Sequence, residues 1–327
     1  MNLLRSVRAV AGAEGDGDGT GSIDWVAVAD AAKNAVDPGS LELTDEDREG
    51  YAADVRDARR RLREVGEVEF EVPGTIEVQN RHHWIDANIR TFERVMRPVE
   101  MRGRVALPGV TRVINTGTMA FMLSFLGKNV LGQYDPLLLA EPPDEDEAAE
   151  HGLYFVHPNI VRVAEMLDVD YPRFRRWIAF HEVSHAAEFG AAPWLSDHLE
   201  TRMEDGLEAL AEGQFDRAAF KDLDTAMTAV EGYAELLMDR AFDDDYEDLR
   251  EKLDEKRNSA GPLGTLVRRL LGLGLKRRQY ERGAAFFETV ADERGVAAAS
   301  VVWDRPENLP TDEELDDPRA WIRRVDP

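Results

Sequence analysis

Apolar residues along this chain return mostly at three- and four-residue steps, the repeat of helices that bury one face. Trp25 to Val36 reads as a short helix and Thr44 to Val65 as a longer one. The longer one has a Thr at its N-cap, Glu46 and Asp47 in its first turn and an Arg-rich end, as the helix dipole favours. Helical spacing returns over His82 to Met96 and over the apolar stretch Thr116 to Leu131, the expected centre of the core. Further helices are expected over roughly 199–213, 223–242, 246–257, 263–271 and 276–293. Alternation of period two is scarce. Glu67 to Val72, Ile76 to Asn80 and Gly152 to Val156 are the strand candidates, the last being the best. The pattern predicts a mainly α protein of α+β type with a small β element.

Breaks in that pattern divide the chain. Residues 11–22 (AGAEGDGDGTGS) have the composition of a flexible linker, and their D-G-D-G lacks the remaining ligands of a calcium loop. Residues 141–150 (EPPDEDEAAE) read as a surface loop. The expected parts are a leading segment and linker (1–22), a helical amino-terminal part (23–150), a metal-binding part (151–304) and an acidic tail (305–327) that packs loosely.

Charge narrows the partners. A formal net charge of −25 repels phosphate backbones and anionic bilayers, so nucleic acid is not expected as a partner. There are six lysines, the remaining basic residues are Arg, and acids are dispersed, a balance that resembles proteins of salt-loving archaea. The lack of cysteine excludes disulfides and thiolate ligands, leaving His and carboxylates for any metal. Arg5 and Arg8 interrupt the amino terminus where a signal peptide needs apolar residues, and the uncharged run Val113 to Gly127 is too short to span a bilayer. Leu263 to Arg278 alternates apolar and Arg residues, but its glycines and the overall acidity favour an ordinary packed helix over a membrane patch. A soluble cytoplasmic protein without stable membrane association is the expectation.

The chemistry gathers on one segment. Asp170 can cap a helix that has Pro172 in its first turn and Gly190 as its stop. Within it Phe174, Ile178, His181, His185 and Glu188 fall on one face. The sequence His181-Glu182-Val183-Ser184-His185 sets two imidazoles one turn apart, able to share one ion, with Glu182 placed as general base. The apolar flank Trp177-Ile178-Ala179-Phe180 marks the helix as buried, where such polar groups need a partner.

A catalytic zinc needs a third protein ligand and an open position. Glu188 and Ala191 stand where a three-histidine extension of the motif requires Gly and His, so that class is excluded. His198 is a conceivable ligand past the helix stop. The better candidate is Glu231 in Glu231-Gly232-Tyr233-Ala234-Glu235, on a second helix, with Glu235 one turn on as the outer carboxylate that fixes a ligand histidine. Gly232 inside a helix implies a close crossing with another element. Tyr233 and His198 are candidates for polarising a substrate carbonyl, against plainer roles as a packing Tyr and a loop His. Gly152 to Val156 is either core or an edge strand that holds an extended peptide.

H-E-V-S-H-A-A-E-F, then P-W-L, then E-G-Y-A-E resembles a family of uncharacterised zincin-like metallopeptidases of actinobacteria, chloroflexi and haloarchaea. Some members are labelled as associated with deazaflavin coenzyme biosynthesis. The likeness extends through Asn80-Arg-His-His-Trp84, Leu131-Gly-Gln-Tyr-Asp135 and Tyr154-Phe-Val-His-Pro158. It implies a mostly helical zincin-like metallohydrolase fold, His181, His185 and Glu231 as zinc ligands, and Glu182 as acid/base. The function expected is a zinc-dependent hydrolase cutting an amide bond in a peptide or small peptide-like substrate. The rival is a non-catalytic zinc-stabilised scaffold, its site closed by a fourth ligand such as Asp197 or His198.

Overall fold

A computed structural model describes residues 23–66, 75–102, 108–134, 152–211, 217–242 and 277–327, together with 246, 248, 249, 251 and 252. Twelve α-helices and three short strands follow in chain order among them: α1 (Trp25–Asn34), α2 (Asp45–Gly66), β1 (Thr75–Gln79), α3 (Arg81–Arg102), α4 (Pro108–Asn129), β2 (Gly132–Tyr134), β3 (Gly152–Val156), α5 (His157–Leu167), α6 (Tyr171–Ala191), α7 (Trp194–Ala211), α8 (Arg217–Ala241), α9 (Arg277–Arg294), α10 (Val296–Ser300), α11 (Asp312–Asp316) and α12 (Pro318–Val325). The mainly α expectation therefore holds. The strand expected at 67–72, the linker, the 141–150 loop and the helix expected at 263–271 lie outside the described residues. Among the described residues no helix is long and apolar enough to cross a membrane.

The three strands form one sheet in the order β1-β3-β2. β1 runs parallel to β3, pairing Thr75 with Gly152, and β2 runs antiparallel to it, pairing Gly132 with Phe155. β3 is thus the central strand. Both its edges are used, so Gly152 to Val156 is not the edge strand that the sequence left open, and an incoming peptide cannot pair with it. Leu153 and Phe155 are buried in the main core instead.

That core gathers around α6. It joins Tyr51, Val55 and Leu62 of α2, Ile178 and Val183 of α6, Leu236 and Leu237 of α8, and Phe286 and Val290 of α9. A second cluster, with Val28, Trp84, Ile85 and Leu123 at its centre, lies between α1, α3 and α4. A buried ion pair clamps α2 to α6: Arg175 Nε donates to Asp54 Oδ2 at 2.7 Å, while the Arg175 guanidinium lies over the rings of Tyr51 and Tyr171. His157 Nδ1 stands 3.2 Å from the hydroxyls of both tyrosines, adding α5 to the joint.

The carboxyl-terminal segment departs from expectation. Residues 305–327 pack firmly, because Leu315, Trp321 and Ile322 reach the main core from two short helices. Trp321 Nε1 donates to the Asn308 carbonyl at 2.7 Å, and Thr311 with Glu314 forms a reciprocal capping box. Three apolar anchors outweigh the acidic composition that surrounds them.

Helices α8 and α9 cross at Gly232 and Gly283. A Cβ on Gly232 would lie 2.3 Å from the Gly283 carbonyl carbon, so the backbones touch where a side chain cannot fit. Gly232→Ala is expected to lower unfolding stability by about 1–3 kcal/mol, the usual cost of overpacking. A denaturant midpoint unchanged from wild type would show that the helices part freely. Arg175→Met strands the buried Asp54 carboxylate, and breaking such a pair costs about 3–5 kcal/mol. Adding Asp54→Asn should restore much of the loss in the same denaturation measurement.

Candidate metal centre

Asp170 caps α6 by accepting from the Arg173 N–H at 3.1 Å, and Pro172 sits in the first turn, where its missing N–H costs nothing. The helix does not stop at Gly190. It runs to Ala191, and the Ala192 N–H closes the last turn on the Glu188 carbonyl at 2.9 Å. Along one side Trp177, His181, His185 and Phe189 form a row of half-buried rings at four-residue steps. The Trp177 ring stacks on His181 with centroids 5.8 Å apart.

His185 is held at both ends. Its Nδ1 lies 2.9 Å from Glu188 Oε2, and its Nε2 faces His181 Nε2 at 3.2 Å and Glu231 Oε2 at 3.7 Å. Helix α8 packs across α6 and delivers Glu231. Among the described residues, His181, His185 and Glu231 are the group of histidines and carboxylates whose ligand atoms converge, all within 4.8 Å of one another.

These donors fit zinc. Bonds of about 2.0–2.1 Å at tetrahedral angles separate neighbouring ligand atoms by about 3.3 Å, close to the 3.2 and 3.7 Å observed. With Nδ1–H donated to Glu188, His185 Nε2 carries a lone pair toward the shared centre. Two imidazole nitrogens and a carboxylate oxygen are the donor set that a borderline cation takes.

Glu182 lies one position round the helix and is only 8% exposed. Strand β2 covers it. A Cβ on Gly132 would stand 2.5 Å from Glu182 Cγ, so this strand position has room only for glycine. Tyr134, on the same face of β2, packs its ring 5.4 Å from Phe189. Gln133 points the other way, accepting from Trp84 Nε1 at 2.6 Å and donating to Asn88 Oδ1 at 2.9 Å. The segments Asn80 to Trp84 and Leu131 to Tyr134 thus meet at the strand that lies on Glu182.

Burial pushes the Glu182 carboxyl up to about 7, with neighbouring His185 opposing that rise, Glu231 adding to it and the Tyr134 backbone N–H opposing it. Burial and then His185 push His181 well below the ordinary histidine range. Burial acts on His185 in the same sense, but the carboxylates of Glu231 and Glu188 prevail and hold it above that range. In the absence of metal the site therefore draws positive charge to His185.

Other sequence candidates fall elsewhere. Tyr233 is a packing tyrosine: its hydroxyl is 2.9 Å from Ser300 Oγ and its ring meets Phe287 and Trp303 edge-on. That engagement removes it from the role of a carbonyl-polarising donor. His198 lines a separate cavity of about 370 Å³, with Arg202, Lys221 and Pro306, and Asp197 is exposed. Glu235 is half-buried one turn past Glu231. The carboxylate on His185 Nδ1 is Glu188, which the sequence set on the metal face without a role. Its signal was a carboxylate three residues after a ligand histidine in a buried helix.

Comparison with known proteins places this geometry. No curated protein matches the sequence. The crystal structure of a candidate hydrolase with a novel fold from Chloroflexus aurantiacus is similar, with 32% identity and a TM-score of 0.73 over 93% of this chain and 99% of that one. The profile of the zincin-like metallopeptidase family matches residues 23–214 and 205–322. The match takes in both metal-site helices, and the chain belongs to the zincin-like metallopeptidase family.

Proposed function

We propose that this protein is a zinc-dependent hydrolase, a peptidase that cleaves an amide bond in a peptide or small peptide-like molecule. The observation that carries the reading is the convergence of His181, His185 and Glu231 with Glu182 buried beside them. His181 Nε2, His185 Nε2 and a Glu231 oxygen would hold the ion, and a catalytic zinc with three protein ligands keeps room for water. Bound zinc would supply Lewis acidity, acidifying water to near neutral pH and polarising a carbonyl.

The protein's own groups do the rest. Glu182 takes the proton from the attacking water and delivers it to the leaving amine. Gly132 gives the carboxylate its space, and the Tyr134 N–H steadies its charged form. An extended peptide laid along β2, the outer strand beside α6, would bring its backbone over Glu182. A scaffold role with a closed metal site is less well supported, since Asp197 is exposed and His198 lines another cavity.

Elemental analysis of the purified protein should find about one zinc per chain, as a three-residue site requires. Chelation should abolish cleavage of a peptide library, and added zinc should restore it. Glu182→Gln should keep its zinc and lose about 10²–10⁴-fold in rate, the usual contribution of a general acid/base. Absence of zinc under metal-replete conditions would sink the metal assignment, whereas unchanged cleavage by the variant would remove only the base.

A further inference from the structure

We infer that Glu188 is the positioning residue for His185: by accepting the Nδ1–H, it fixes the tautomer and ring orientation that present Nε2 to the ion. The inference rests on the metal-site reading above and extends it to a residue for which that reading has no use. Three observations carry it. Glu188 Oε2 is 2.9 Å from His185 Nδ1, the length of a charge-assisted hydrogen bond. The Glu188 side chain is fully enclosed, with 0% exposure, so it has no water to exchange for this bond. The bond also sets the opposite ring nitrogen 3.2 Å from His181 Nε2 and 3.7 Å from Glu231 Oε2, at the centre of the donor group.

The location matters as much as the bond. Glu188 and His185 are three residues apart on α6, so helix geometry alone keeps them paired. Glu231, by contrast, reaches the site from α8 and depends on how two helices cross. His185 is thus oriented by its own helix, with the outer carboxylate built into an extended motif, His181-Glu182-x-x-His185-x-x-Glu188. The sequence had given that role to Glu235, on the other helix.

The test measures zinc affinity of the full chain by competition with a chromophoric chelator. Glu188→Leu should bind zinc about 10–100-fold more weakly, the usual effect of losing such a partner. Glu188→Gln keeps an acceptor oxygen in the same place and should recover part of that loss. Circular dichroism and the denaturation midpoint identify a variant that has not folded, in which case Glu188→Gln carries the comparison. Nitrogen-detected NMR of the zinc-loaded protein should show a downfield His185 Nδ1–H that moves upfield in Glu188→Leu, which a merely space-filling role would not produce. A folded Glu188→Leu with wild-type affinity and an unmoved proton overturns the inference. Affinity lost instead in Glu235→Gln returns the role to Glu235 and also overturns it. A wild type that binds no zinc fails the underlying metal reading, an outcome distinct from the others.

Discussion

The constraint on which the structure turns is that one buried helix carries four ionisable groups within two turns. His181, Glu182, His185 and Glu188 all lie on α6, and Glu188 and Glu182 are 0% and 8% exposed. Removing a charge from water costs several kcal/mol even after relaxation, so such a helix is tolerable only if its groups satisfy one another or a cation. The surroundings of α6 can be read as answers to that demand. Glu188 takes one nitrogen of His185, α8 brings Glu231 to the other, and β2 closes over Glu182. The Arg175–Asp54 pair fixes the start of the helix against α2, well away from the metal donors.

What could be read from the sequence was what is local to a few turns. The capped start of α6, the pairing of imidazoles one turn apart and the glycine at the helix crossing all depend on near neighbours, and each has its counterpart in the structure. What could not be read depends on contacts between distant segments. Whether Gly152 to Val156 is an edge or a centre strand is decided by β1 and β2, both distant from it in the chain. Whether Tyr233 faces the ion or the core is decided by Ser300, Phe287 and Trp303. The carboxyl-terminal segment misled for a different reason. Composition averages over a window, whereas packing needs only a few anchors, and Leu315, Trp321 and Ile322 suffice.

Gly190 shows the limit of a local rule as well. Glycine past a helix end is favoured because it can adopt a left-handed conformation, yet here the helix continues through it to Ala191. At the end of α5 that conformation is taken by Asp168, one of the few non-glycine residues able to adopt it. Local preference gives the neighbourhood of a boundary; tertiary contacts set its last residue.

The acidity of the chain bears on the metal site less than the formal charge of −25 suggests. The basic residues are already counted in that figure, and surface pairs such as Arg173 with Asp248 leave it unchanged while each is worth little because water screens it. A long-range negative field does favour a cation, but at about 1 M salt the Debye length falls to about 3 Å and that help disappears. Whatever holds an ion under such conditions must therefore act at contact distance. In the proposed site His181, His185 and Glu231 would do so directly, and Glu188 through His185. On that reading the centre's affinity would rest on the groups that α6 and α8 bring into contact and not on the charge of the surface.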